Sequence, residues 1–153
     1  MAKPATSSPS TRPEHPSSFE AVQALARVTR VLERATADLS LAHYRVLSAI
    51  ALGDERGSRV AARLALGKPA VSAAVDSLCQ RGLLARSSVD EDRRAATLRV
   101  TVEGEILLAS VETEMVRRLD DLCTRTPDRA RVIESLVWLG VAMDQARAER
   151  VAP

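Results

Sequence analysis

Aromatic side chains are nearly missing from this chain: its 153 residues hold one Trp, one Tyr and one Phe. The core must therefore be aliphatic, drawn from Ala, Val and Leu, a composition that favours helices over sheet. Cysteine is scarce too. Cys79 and Cys123 fall on two different expected helices, which is no disulfide framework, and a reducing cytoplasm is the simplest setting. No apolar run approaches the length that crosses a bilayer, and no secretory signal is visible. There is no Gly-rich phosphate loop, and Ser, His and Asp stand in no nucleophile motif, so no enzyme is expected. His15, His43 and two distant cysteines form no ligand-spaced cluster, so neither a metal nor another cofactor is expected.

Charge of one sign is also weak overall, with a formal net charge of +2. Its distribution says more. Residues 57–101 carry Arg59, Arg63, Lys68, Arg81, Arg86, Arg93, Arg94 and Arg99 against Asp76, Asp90, Glu91 and Asp92. A basic segment in an otherwise near-neutral chain fits contact with phosphate, although a solvated charged face would look the same.

What is present is organised around that segment. In residues 67–84, GKPAVSAAVDSLCQRGLL, Val71, Val75 and Leu78 recur at helical spacing and give one core-facing stripe. Pro69 suits a first helical turn, Gly67 can serve as a weak N-cap, and Gly82 suits a left-handed helix end. Lys68, Ala70, Ser72, Ala73 and Ser77 fall largely on other faces; all but the lysine are small, so the backbone can approach a partner closely. Upstream, residues 58–66 form a short helix with Ser58 as its expected N-cap. Two short helices with a tight connection make a helix-turn-helix. Leu83-Leu84 then begin an extended segment. Residues 86–89 and 96–101 read as strands around a charged turn, with Ala96, Leu98 and Val100 alternating with Thr97, Arg99 and Thr101.

The rest of the chain frames this unit. Residues 1–17, rich in Pro, Ser and Thr, are expected to form a disordered tail. A first helix is expected over residues 18–38, with Val22, Leu25, Thr29, Leu32, Thr36 and Leu39 on one stripe. A second, capped by Ser40, runs over 41–52 and is apolar around much of its circumference, hence central. After the hairpin, Thr101 looks like the N-cap of a long helix whose stripe is Leu108, Val111, Met115, Leu119 and Leu122. Thr126-Pro127-Asp128 breaks it. The last helix, over 127–148, carries two apolar seams: Val132, Leu136, Leu139 and Met143, and Ile133, Val137 and Gly140. That exceeds what one small domain needs, which predicts packing against a second copy about a two-fold axis. The fold class is thus mainly α with a small two- to three-stranded β wing. Residues 39–101 form the winged helix-turn-helix, and 18–38 with 102–150 form a helical dimerisation region.

The chain resembles the MarR family of bacterial transcription regulators. The stretches that carry the resemblance are Leu39 through Leu47, Lys68-Pro69-Ala70-Val71-Ser72, Arg81-Gly82-Leu83-Leu84, and Asp92-Arg93-Arg94 through Thr101 to Gly104, within residues 20–150. Gly67, Ala73 and Val89 depart from the residues usual in that family. The resemblance implies a homodimer joined through its terminal helices, binding a pseudo-palindromic duplex, with repression as the family's habit.

Chemistry then assigns candidate sites. In a major groove, Lys68 suits a guanine edge or a phosphate, Ser72 a base or phosphate, and Ala70 and Ala73 a thymine methyl. Ser58, at the start of the preceding helix, is grouped with them. Arg93 and Arg94 suit the negative potential of a narrow minor groove. The resemblance implies that Arg94 enters that groove, held by Asp92, and a carboxylate beside a guanidinium has the geometry to do so. For an input, the resemblance implies a small aromatic or phenolic effector in the crevice between dimer helices and winged domain, near His43, Tyr44 and Arg45. Alternatives are oxidation at Cys79, on the reading helix itself, and a winged helix used only for protein contacts.

Overall fold

The computed structural model describes residues 17–36, 39–53, 56–87 and 97–151. The elements are α1 (Ser18–Ala35), α2 (Leu41–Ala51), α3 (Gly57–Leu64), α4 (Lys68–Gln80), β1 (Leu84–Ser87), β2 (Thr97–Val100), α5 (Val102–Cys123) and α6 (Arg129–Val151). The fold class is as expected, with two strands described in the wing.

Helices α1, α2 and α5 start where a side chain can satisfy orphan amides. Ser17, expected in the tail, instead caps α1. Its backbone N–H donates to Glu20 Oε2 at 2.8 Å, and the Glu20 N–H donates back to Ser17 Oγ, a reciprocal capping box. Ser40 Oγ accepts from the His43 N–H, and Thr101 Oγ1 from the Gly104 N–H. The expected first helix ran to residue 38, but α1 ends at Ala35. The Thr36 hydroxyl donates to the Glu33 carbonyl at 2.7 Å, and the Leu39 N–H donates to the Thr36 carbonyl. Local hydroxyl bonds of this kind compete with the helical ladder. The resulting bend buries both Thr36 and Leu39.

Helix α2 is central, packing against α3, α4, α5 and β2. Val46, Leu47, Ala49 and Ile50 are buried in it, while Ala51 is exposed. Helix α3 begins one residue before the expected Ser58 cap. Arg56 is the N-cap and makes no side-chain cap bond; its carbonyl accepts from the Arg59 and Val60 amides, which draws Ser58 into the first turn. The α3–α4 turn is tight because Ala65 sits at φ 51°, a left-handed conformation that costs about 1–2 kcal/mol outside glycine. Gly67 is the α4 N-cap without a side-chain bond, with proline in the first turn as expected.

The wing is an antiparallel pair with Leu84 opposite Val100 and Arg86 opposite Leu98. Its first strand begins two residues earlier than the expected 86–89, because Leu84 is buried and the ladder starts there. Residues 88–96, the wing tip with Asp92, Arg93 and Arg94, lie outside the described residues, as do residues 1–16.

One core joins α1 through α5: Leu39, Leu47, Val60, Val71, Leu78, Leu98, Leu108 and Met115 are among its members. On α5 the expected stripe holds, with Leu119 and Leu122 half-buried. Helix α6 runs from Arg129, since Asp128 accepts from the Arg131 N–H through Oδ1, to Val151, beyond the expected 148. Among its described residues none is buried; Trp138 is 62% exposed, and Val137, Leu139, Val141 and Met143 are similar. On α1, Phe19 and Val22 are also open.

Where α4, the wing and α5 meet, Gly104 has no room for a side chain: a Cβ there would stand 2.2 Å from the Leu83 carbonyl oxygen. The obstacle is backbone, so it yields little. Gly104→Ala should lower stability by about 1–3 kcal/mol, measured by urea unfolding of the full chain, against an unchanged midpoint if the junction is loose.

Candidate nucleic-acid interface

The α4 helix turns its buried face, Val71, Ala74, Val75 and Leu78, to the core. Its opposite side leaves Lys68, Ala70, Ser72, Ala73, Asp76 and Gln80 exposed. Ser72, Ala73, Asp76 and Gln80 follow three-four spacing and therefore share one stripe. The expected Lys68, Ala70, Ser72 and Ala73 thus all reach the surface of one short helix whose outward side chains are mostly small.

Beside this face runs a groove of about 360 Å³, to which Ser58, Lys68, Ser72 and Arg86 contribute their polar groups and Val71, Val75 and Leu98 its floor. Three of the four polar groups come from the expected set and from two helices. The fourth, Arg86, was missed, and so was its partner. Arg86 Nη2 donates to Asp76 Oδ1, tying β1 to α4, with the two side chains 48% and 52% exposed. The register explains why. Arg86 lies opposite Leu98, whose side chain is buried, so the arginine starts from the core side of the strand pair and runs out to α4. In the sequence the only signal was that Asp76 stands four residues after Ser72, on the same helical stripe.

The expected effector residues occupy the start of α2. The His43 ring Nδ1 lies 2.9 Å from Ser40 Oγ, within the cap itself. Tyr44 is half-buried and its hydroxyl donates to Glu112 Oε1 on α5 at 3.4 Å. Arg45 is exposed. Burial pushes the Tyr44 hydroxyl above its ordinary pKa, and the nearby Glu112 charge pushes the same way. Both disfavour the phenolate. Of the cysteines, Cys123 is buried and Cys79 is partly buried against the core. Among the described residues no group of three His, Cys, Asp or Glu could hold a metal ion, and no helix is long and apolar enough to cross a membrane.

Tyr44 is the sole tyrosine, so its titration is read directly from tyrosinate ultraviolet absorbance. The midpoint should lie above the usual value of about 10, and Glu112→Gln should move it down. Because the folded state holds this proton more tightly, the associated stability is present below the unfolded pKa and lost as pH rises through the folded one. An ordinary midpoint in the wild type contradicts the α2–α5 contact.

Residues 37–95 match the family model described as MarR family. No curated protein sequence matches the chain. Solved structures do. The transcriptional repressor CouR, bound to a 23-mer DNA duplex, is 25% identical with a TM-score of 0.71, covering 82% of this chain and 91% of that one. Apo MarR from E. coli is 18% identical with a TM-score of 0.67, over 80% of this chain and 95% of that one. NadR in complex with 4-hydroxyphenylacetate is 20% identical with a TM-score of 0.66, over 90% and 96%.

Proposed function

We propose that this chain, a MarR-type winged-helix protein by its family match over residues 37–95 and by its fold, is a transcription repressor. It binds a pseudo-palindromic duplex as a homodimer and is released by a small effector. The observation that carries the reading is the outward face of α4: small side chains, one lysine at the helix start, and an adjacent groove edged by Ser58, Ser72 and Arg86. A helix without bulk on its outer side fits a major groove closely, and the free amides at its N-terminus favour a phosphate. With one long cationic side chain on that helix, backbone contacts and DNA shape supply much of the affinity. That assigns Arg93 and Arg94 of the wing to a minor groove, with Asp92 orienting Arg94. CouR, of the same fold, is bound to duplex DNA.

Exposed apolar surface on the terminal helices supports the dimer. Helices α1 and α6 expose Phe19, Val22, Val137, Trp138, Leu139 and Met143, and a second copy related by a two-fold axis covers such faces with the same faces. The effector reading assigns a small aromatic acid to the crevice near His43, Tyr44 and Arg45, where Arg45 offers a cation to a carboxylate. NadR, of the same fold, holds 4-hydroxyphenylacetate.

Titrating the full chain into the duplex from its own upstream region should give affinity that falls steeply with added salt, through counterion release. Arg94→Ala should weaken binding at least about tenfold with circular dichroism unchanged; wild-type affinity in that variant removes the wing from the interface. A winged helix used only for protein contacts shows no salt-dependent affinity for duplex. Leu139→Glu should shift the chain toward monomer in sedimentation velocity, and an unchanged sedimentation coefficient contradicts α6 as the dimer face.

A further inference from the structure

We propose that Asp76 is a specificity-determining residue, one that selects cytosine within each half of the DNA site; this rests on the DNA-binding reading above. Asp76 lies in the middle of the outward stripe of α4, one turn after Ser72 and Ala73. At a rise of about 1.5 Å per residue it stands roughly 12 Å along the helix from Lys68, still on the segment that lies in the groove. A carboxylate on a surface meant for phosphate works against binding. As a half-exposed ion pair with Arg86 it contributes little to stability. Neither backbone affinity nor folding therefore accounts for it.

Its hydrogen-bonding state does. Arg86 engages Oδ1, and Oδ2 has no partner among the described residues. Arg86 fixes the plane of the carboxylate and offsets its charge, which leaves one pre-oriented acceptor facing outward. In the major groove the donors are the exocyclic amines of cytosine and adenine. Adenine places its N7 acceptor beside that amine and repels a second acceptor; cytosine does not. A lone carboxylate oxygen with no donor of its own thus favours cytosine. Arg86 acts as a positioning residue, holding Asp76 from the wing strand so that the reading face and the wing are set as one unit.

The test is selection from a random duplex library with the full-length wild type, followed by per-position affinity measurements for the wild type, Asp76→Ala and Asp76→Asn. The wild type should prefer cytosine at one symmetric position in each half-site. Asp76→Ala should lose about tenfold in discrimination there, with the other positions unchanged and with tighter binding to unrelated duplex. Asp76→Asn, which can donate as well as accept, should shift that position toward adenine. A uniform change across all sequences, with the base profile kept, reduces the pair to a structural tie and overturns the proposal alone. If the wild type enriches no duplex, the proposal and the DNA-binding reading fall together.

Discussion

Helix α4 meets the wing and α5 at one backbone junction. Thr101 donates its hydroxyl to the Gly82 carbonyl at 2.6 Å and its N–H to the Leu83 carbonyl, and its oxygen accepts from the Gly104 N–H. Three chain segments meet there: the end of α4, the last strand of the wing and the first turn of α5. Gly104 lets the Leu83 backbone come closer than any side chain would allow. The Thr-x-x-Gly spacing is therefore a packing device. It satisfies a helix start, ties the second wing strand to the end of α4 and fixes the angle between α4 and the long α5 helix, all with groups that would otherwise be orphaned.

That junction couples the winged domain to the rest of the chain. The α5 stripe of Leu108, Val111 and Met115 carries the core toward α1. The Tyr44–Glu112 contact is a second tie between the winged domain and α5, made by α2. In the proposed dimer, any change that re-angles α5 or α1 moves the outward faces of two α4 helices relative to one another. In the proposed reading, an effector near the start of α2 would act on the same joint, so input and output would share one set of contacts.

Much of this was legible in the sequence. Ser40, Thr101, Pro69 and Gly82 announced helix boundaries through chemistry that is local, and periodicity gave the buried faces of α4 and α5 because the aliphatic core leaves few ambiguous positions. The misreadings arose where a competing backbone bond or burial in the core moved an element's end. The first helix stopped early because the Thr36 hydroxyl donates to the Glu33 carbonyl and Leu39 is drawn into the core. The wing strand began early because Leu84 is buried. Helix α3 opened without its expected serine because the Arg56 carbonyl already closes the first turn. The Arg86–Asp76 pair was not legible, since it depends on which side of the hairpin faces α4. The surplus apolar seams expected on the last helix are there as exposed side chains among the described residues, Val137, Leu139 and Met143 included; the partner they call for is a proposal.

In the proposed complex, two α4 faces in a symmetric pair meet one side of a duplex. Hydroxyl-radical footprinting of the full chain on its bound duplex measures this most directly. Two protected patches related by two-fold symmetry, with centres about one helical turn apart, roughly 34–36 Å, are the predicted result. A single unsymmetric patch, or uniform protection without any boundary, contradicts it.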